Sequence, residues 1–430
     1  MSRLLIKHGR VVDPSQRLDE GLWVLVVDGK VARLAERIDD REAEVLDATG
    51  LVVAPGFVDV HTHLREPGFE YKETIATGSA AAVAGGFTAV CCMPNTQPVN
   101  DTAAVTEFIR GRGAEAGLAR VYPIGAVSKG LQGEELAEIG EMARAGAVAF
   151  SDDGKPVRNA YLMRRALEYA QLFDVPIVDH CEDPDLAGKG VMHEGAVATR
   201  LGLRGIPAAA EEVAVARDVL LAELTGGRLH VAHLSTRGGL ERVREGKGKG
   251  VAVTCEVTPH HLALTDRAVA ESEYDTDTKM NPPLRSEDHV AALLDGVLDG
   301  TVDCLATDHA PHHADEKVLE FDLAPFGIVG LETAVPVTYD LLVRRHKLPL
   351  RRFISLWSCN PARVFRLGGG TLKVGSPADI TLLDLEARLT VNPDRFRSRS
   401  RNTPFAGQRL KGWPAVTVVG GKVAWRRERK

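Results

Sequence analysis

The sequence predicts an α/β protein: a closed (β/α)8 barrel of the TIM-like kind with a small β-sandwich built from both chain ends. Three observations predict it. From about residue 52 to 368, short β-branched runs alternate with Ala/Leu/Glu-rich segments, and strand-then-helix repetition implies a parallel sheet. The runs number eight, the strand count of a closed barrel, although a doubly wound open sheet uses the same alternation. Both ends instead carry hairpin signals.

Taken in order, residues 22–27 and 31–34 are apolar strands around Asp28-Gly29, a two-residue turn signal. The barrel strands are read at 51–61, 87–92, 119–124, 147–151, 175–180, 228–233, 251–256 and 302–307. Helices are read between them, for example at 73–84, 134–145, 161–172 and 208–224. Residues 379–385 form a further strand, and 415–419 and 423–425 flank the turn Gly420-Gly421. These readings assign residues 1–53 plus 369–430 to the accessory β-sandwich and 54–368 to the barrel.

Composition is that of an ordinary globular chain. Of 430 residues, 44% are hydrophobic and 26% charged, which excludes a disordered, collagenous or coiled-coil protein. Net charge is −6, so a nucleic-acid partner is not expected. The basic clusters at 395–401 and 426–430 read as solvated surface and tail. Six cysteines with no C-x-x-C spacing read as reduced, mostly buried thiols. Lys7 and Asp13 come too early for a signal peptide. The weakly polar run 80–93, interrupted by Gly85-Gly86, falls short of the ~20 residues of a membrane helix. A soluble, cytoplasmic protein without a membrane partner is expected.

In a (β/α)8 barrel the chemistry sits at the C-terminal strand ends. Here the first strand ends in Asp59-Val60-His61-Thr62-His63-Leu64-Arg65, and on a strand His61 and His63 project to one side. The fourth ends in Ser151-Asp152-Asp153-Gly154, the fifth in Asp179-His180, the sixth in Ala232-His233 and the eighth in Thr307-Asp308-His309. Imidazoles and carboxylates converging on one barrel mouth suit Zn²⁺. Each feature alone is weak; the coincidence at five strand ends carries the reading. His8, His289 and His346 read as surface residues, and His193 and His230 have no assignable partner. His260 and His261 follow the seventh strand and are read either as groups orienting the metal ligands or as structural residues.

With these motifs in hand, the sequence resembles the amidohydrolase superfamily and, within it, the bacterial class I dihydroorotases. Pro55-Gly56-Phe57-Val58-Asp59-Val60-His61-Thr62-His63-Leu64-Arg65-Glu66-Pro67-Gly68 is similar to the family's first metal motif. Ala306-Thr307-Asp308-His309-Ala310-Pro311-His312, with Lys317 beyond it, is similar to its second. Cys92-Met93-Pro94-Asn95-Thr96 and Lys279-Met280-Asn281-Pro282-Pro283-Leu284-Arg285 resemble its substrate-binding segments. The likeness spans essentially the whole chain. It implies that His61, His63 and Asp308 bind one zinc and that His180 and His233 bind a second. Where many relatives bridge the metals with a carbamylated lysine, it implies Asp153, with Asp152 as the rival. It implies substrate contacts at His63, Leu64, Arg65, Asn95, Asn281, His312, Phe326 and Gly327. For the asparagines, turn chemistry beside Pro94 and Pro282 is the competing reading.

The resemblance implies reversible hydrolysis of a cyclic amide, L-dihydroorotate to N-carbamoyl-L-aspartate, run toward ring closure in pyrimidine biosynthesis. Asp308 is implied as the proton carrier, with two Zn²⁺ ions per subunit. A homodimer and an association with aspartate transcarbamoylase are implied partners, and residues 312–327 are read as a lid over the site. Two alternatives stand beside this one. A hydantoinase, dihydropyrimidinase or allantoinase would share the histidines. An inactive dihydroorotase-like partner of aspartate transcarbamoylase would have lost some of them.

Overall fold

The computed structural model describes residues 2–428. Met1 of the N-terminal segment and Arg429 and Lys430 of the last basic cluster lie outside the described residues.

The strand Arg3–Asp13 pairs antiparallel with Leu18–Val27, which pairs with Lys30–Ala35. Asp28 and Gly29 turn this hairpin with φ of 47° and 76°, the left-handed pair that matches strand twist. The C-terminal hairpin, Arg409–Val419 with Lys422–Arg426, turns on Gly420 and Gly421 at 55° and 77°. Ile380–Thr390 joins it to Val52–Pro55, which lies on Arg3–Asp13. Both chain ends therefore merge into one mixed sheet of eight strands. The expected sandwich takes the form of a single hydrogen-bonded sheet whose two wings share an apolar cluster, including Leu4, Val24, Val53, Ile380 and Val418. Arg3–Asp13 and the short parallel strand Glu44–Asp47 escape the sequence pattern. A register shift between Ile6 and Gly9 and the polar run Lys7-His8 break the alternation of the first.

Between these ends, Phe57–Thr62, Phe87–Cys92 and Arg120–Pro123 pair in parallel. Ile177–Asp179, Leu229–Val231, Val253–Val257 and Cys304–Leu305 pair in the same sense. Phe150 connects the two groups, bridging Gly125 on one side and Ile177 on the other. His309 bridges back to Thr62. The parallel pairings thus return to the segment they began from. The predicted strand at 147–151 is a correction: it is reduced to the single bridge residue Phe150, although Val148 N–H still donates to Pro123, Ala149 accepts from Gly125 and Ser151 N–H donates to Gly125. Just beyond it the Asp152 carboxylate binds the backbone of Val127 and Ser128 in place of ladder partners.

The connecting helices include Ile75–Ala84, Ile139–Ala145, Ala160–Ala170 and Ala208–Thr225. Thr74 and Thr77 close a capping box on the first. The helix predicted at 134–145 begins only at Ile139, because Leu136 is held in a bridge to Ser128. The six cysteines are free thiols, five of them buried. Among the described residues, no helix is long and apolar enough to cross a membrane.

Candidate active site

Loops leaving the C-terminal ends of the parallel strands bring six side chains together, each at most 5% exposed. His61 donates from Nδ1 to Glu256 at 2.8 Å, so its Nε2 lone pair faces inward, 3.4 Å from Asp153 and 3.5 Å from Asp308. His63 donates from Nδ1 to Asn95 at 2.9 Å, and its Nε2 stands 3.1 Å from Asp308 and 3.5 Å from Asp153. His233 Nε2 lies 3.4 Å from Asp153 and 3.0 Å from His180 Nδ1. His180 completes the group, its Nδ1 3.8 Å from Asp153. Asp153 therefore faces four imidazoles at once. Asp308 and His233 have φ of 45° and 30°, a strained backbone of the kind that concentrates at functional sites.

The frame around the group is polar and hydrogen-bonded. Asp59 accepts the backbone N–H of Thr307 at 3.0 Å and that of His61 at 3.2 Å, tying the first strand end to the last. Burial lifts its carboxyl to about 7. Burial acts the same way on Asp153 and Asp308, but the surrounding histidines override it and hold both carboxyls below their ordinary range. Glu256 is likewise held low despite burial, because His230 and His61 both donate to it. Carboxylates and imidazoles in this centre each favour the charged form of the other, with His61 and His233 raised as the two aspartates are lowered.

A metal ion fits this donor set. His61 Nε2, which faces Asp153 and Asp308, is a buried nitrogen with no hydrogen-bond partner, a costly state unless a cation or proton meets it. Tetrahedral bonds of 2.0–2.1 Å imply donor–donor edges of ~3.3–3.4 Å. The observed edges among His61, His63, Asp153 and Asp308 run from 3.1 to 3.5 Å. Of four groups of close donor atoms among the described residues, two fall within these six side chains: His61, His63 and Asp308, and His61, Asp153 and His233.

A cavity of about 220 Å³ opens beside these residues. Ligand pockets for drug-sized molecules run to ~300–1,000 Å³, so this one suits a single small ring. His63, Arg65, Asn95, Asp153, His180 and His233 line one part of it, and Asn281, Asp308, His312, Phe326 and Gly327 line the rest. Arg65 is set by a hydrogen bond from Nε to the Pro311 carbonyl at 3.2 Å, which leaves its fork beside His312. Burial, together with Arg65, Lys72 and Lys317, keeps the His312 imidazole neutral. Its Nε2 donates to the Phe326 carbonyl at 2.8 Å.

One sequence expectation needs correction. Leu64 does not line the cavity; it is fully buried and packs toward Gly78 of the first helix. Of the two readings of His260 and His261, the structural one fits their hydrogen bonds: His261 bonds Thr258 and the Pro282 carbonyl, and His260 Nε2 has no partner. His230, without an assignable partner in the sequence, bonds Glu256 at 3.1 Å and stacks edge-on with Phe365. His193 meets Arg285, and His289 is half-buried against the Arg237 N–H. Asp152 turns away from the histidines to the N–H groups of Val127 and Ser128, at 2.8 and 3.0 Å, and burial raises its carboxyl to about 6.

Residues beyond the six also hold this geometry. The Lys279 ammonium is held by the carbonyls of Phe321, Asp322 and Ala324, and that of Lys317 by those of Thr276, Pro325 and Gly327. Together they pin residues 318–328 over the cavity. The 395–401 cluster is only half solvated. Its arginines are exposed, but Ser398 and Ser400 between them are buried, and Ser398 bonds Glu73. Just beyond, Asn402 donates to the carbonyls of Ala310 and Gly327, both at 3.0 Å, and accepts the His312 N–H. The one available signal was period-two spacing of small polar residues between the arginines, a strand-like trace with one face buried.

The cyclic parallel pairing and the histidine–aspartate group at its strand ends define a hydrolase of the amidohydrolase class. Residues 325–424 match the model of the amidohydrolase family, and residues 50–239 match a dihydro-orotase-like model. The chain is 60% identical to the dihydroorotase of Anaeromyxobacter dehalogenans (strain 2CP-C), over 98% of this chain and 97% of that protein. It is 57% identical to the dihydroorotase of Pelotomaculum thermopropionicum, over 98% of each. The chain belongs to the dihydroorotase family of cyclic amide hydrolases. Among solved structures, it is similar to L-hydantoinase (dihydropyrimidinase) from Arthrobacter aurescens, with a TM-score of 0.87 and 28% identity over 98% of this chain and 96% of that one. A dihydropyrimidinase from Brevibacillus agri NCHU1002 shares the fold at a TM-score of 0.85 and 23% identity, over 99% of this chain and 95% of that one.

Proposed function

We propose that this chain catalyses the reversible ring opening of L-dihydroorotate to N-carbamoyl-L-aspartate, working toward ring closure in pyrimidine biosynthesis, and that it is of the bacterial class I type. The observation that carries the reading is one cavity lined by Arg65, Asn95 and His312 beside His63, Asp153 and Asp308. A carboxylate on a small ring calls for a planar, permanently charged partner, and Arg65 supplies it. Asn95 and Asn281 offer donor and acceptor to the ring amides. His312 and the Phe326-Gly327 backbone complete the substrate contacts.

In this reading His61, His63 and Asp308 would hold one zinc, His180 and His233 a second, and Asp153 would serve both. Zinc bound there supplies Lewis acidity and lowers the pKa of a coordinated water toward about 7. Asp308 accepts the proton of the attacking water as the new C–O bond forms, and gives it to the ring nitrogen as the C–N bond breaks. Ring closure retraces the path, with Asp308 accepting the proton from the attacking ureido nitrogen. The histidine frame keeps Asp308 ionised and ready as a base.

We further read residues 1–53 plus 369–430 as a β-sandwich accessory domain and 54–368 as a (β/α)8 barrel, in a cytoplasmic homodimer able to associate with aspartate transcarbamoylase. A hydantoinase or dihydropyrimidinase is the second reading, favoured by the likeness to the Arthrobacter enzyme. It leaves Arg65 without a carboxylate to meet, because hydantoin and dihydrouracil rings carry none. Assaying the purified protein on dihydroorotate, hydantoin and allantoin, with elemental analysis of the same sample, tests the proposal. Turnover of dihydroorotate with bound zinc is expected; faster turnover of hydantoin or allantoin, or a metal-free inactive protein, overturns it.

A further inference from the structure

A second, larger cleft of about 1000 Å³ lies between the turn Pro14–Gln16, the helices Leu350–Trp357 and Cys359–Val364, and the loop 366–373. It belongs to the far end of the strand ring. The same segment places Phe365 edge-on to His230 and gives the Val364 carbonyl to Arg228. Arg228 precedes the strand Leu229–Val231, whereas His233 of the active site follows it.

The walls are cationic in a chain whose net charge is −6. Arg17, Arg351, Arg352, Arg363, Arg366 and Lys373 line the cleft, and no aspartate or glutamate does. Arg352 is fixed by the carbonyls of Val297 and Leu298, and Arg366 lies against Asp174. The side chains of Arg17, Arg351 and Lys373 make no ion pair or hydrogen bond among the described residues, and Arg363 reaches only Asn360 at 3.4 Å.

The loop adds an independent feature. It reads Leu367-Gly368-Gly369-Gly370-Thr371-Leu372, with Gly369 and Gly370 at φ of 136° and 67°. Leu372 N–H donates to Asp13 at 2.7 Å, but the N–H groups of residues 368–371 donate to no protein group among the described residues. Gly370 cannot be replaced cheaply, since a Cβ there would stand 2.9 Å from the Ser358 carbonyl oxygen. Successive unpaired N–H groups in a glycine loop form an anion-binding concavity, and guanidinium forks match phosphate oxygens.

We propose that this cleft binds a small polyphosphorylated anion, at a site separate from the catalytic cavity. Its walls carry no aromatic side chain on which a base could stack, so the phosphate chain is the group recognised. The concave shape and the loop N–H groups favour a compact anion over the acidic surface of a protein.

Calorimetric titration of the zinc-loaded protein with inorganic tripolyphosphate, ATP, citrate and a polyglutamate peptide, at fixed ionic strength with magnesium in excess, tests this. Saturable binding of tripolyphosphate is expected, undisturbed by saturating dihydroorotate and with zinc content unchanged. Equal binding of ATP supports recognition of the phosphate chain alone; binding of ATP more than tenfold tighter than tripolyphosphate would show that a base is read and overturn that reading. The exposed pair Arg351→Glu/Arg363→Glu should weaken binding at least tenfold while ring-opening activity stays the same, and the milder Arg17→Gln/Lys373→Gln pair should weaken it less. No saturable binding, equal binding by the variants, competition with dihydroorotate, loss of zinc in step with the heat, or preference for polyglutamate would each overturn the proposal.

Discussion

Glu256 accepts the Nδ1–H of His61 at 2.8 Å, and neither side chain has surface open to solvent. The other Glu256 oxygen takes the Nε2–H of His230 at 3.1 Å, so this carboxylate fixes the tautomer of His61 and turns its free nitrogen toward Asp153 and Asp308. Partners of this kind raise the basicity of a metal-binding imidazole. Glu256→Gln keeps an acceptor but loses the charge. Zinc affinity, measured by competition with a chelator, should fall by about 10–100-fold. Unchanged affinity would show that His61 needs no such support.

The neighbouring aspartates should separate cleanly. Asp153→Ala removes the group that faces four imidazoles, and bound zinc should drop with little change in urea stability. Asp152→Ala should do the reverse. It strands the N–H groups of Val127 and Ser128, at a cost of about 1–3 kcal/mol, and leaves metal in place. Paired metal analysis and denaturation curves decide the matter; a greater zinc loss in the Asp152 variant reverses the assignment.

Arg65→Lys preserves the charge and loses the fork. Binding of dihydroorotate should weaken by about 1–3 kcal/mol. The penalty should shrink for an analogue without the carboxylate, and equal losses for both compounds would mean that Arg65 does not read that group.

Asp308→Asn can still offer an oxygen to a metal but cannot carry a proton. Loss of a positioned acid–base typically costs about 10²–10⁴-fold, so turnover should collapse in both directions while much of the zinc remains. In the native protein, ring opening should decline toward acid, as the proton acceptor is lost. Ring closure needs a proton to dispose of an oxygen as water, so it should decline toward alkali. An active Asn variant, or two pH profiles of the same slope, removes Asp308 from this role.

Asn402 holds three backbone groups of the substrate shelf, those of Ala310, Gly327 and His312. Asn402→Ala should raise KM for dihydroorotate about tenfold, the equivalent of 1.4 kcal/mol, with kcat less affected. An unchanged KM, with the loss confined to thermal stability, would make the residue purely structural.

What the sequence disclosed follows physical lines. Strand ends were legible where β-branched runs stopped at a polar residue, as at His61, His180 and His233, because period and composition are local. The 147–151 segment looked like the others, yet it holds only one bridge residue, Phe150, and the Asp152 hydrogen bonds that follow it lie outside any periodic pattern. Glu256 was hidden because an acid in the run Val-Thr-Cys-Glu-Val reads as the polar half of an alternating strand. Asn402 was hidden by distance: its partners lie 75 and 92 residues away, beyond any window. The asparagines at 95 and 281 looked equally like turn formers, and only the cavity distinguishes the two roles.

The bond from Thr307 to Asp59 spans 248 residues and that from His63 to Asp308 spans 245, while the strand Val52–Pro55 waits for Ile380–Thr390 to become paired on its second edge. A chain emerging from the ribosome therefore presents His61 and His63 with Asp153 well before Glu256 and Asp308, the other carboxylates that face them, exist. Contacts of such separation are slow to form. The centre is among the last features the molecule completes, and until residue 308 is made the growing chain carries its imidazoles without their full set of acid partners.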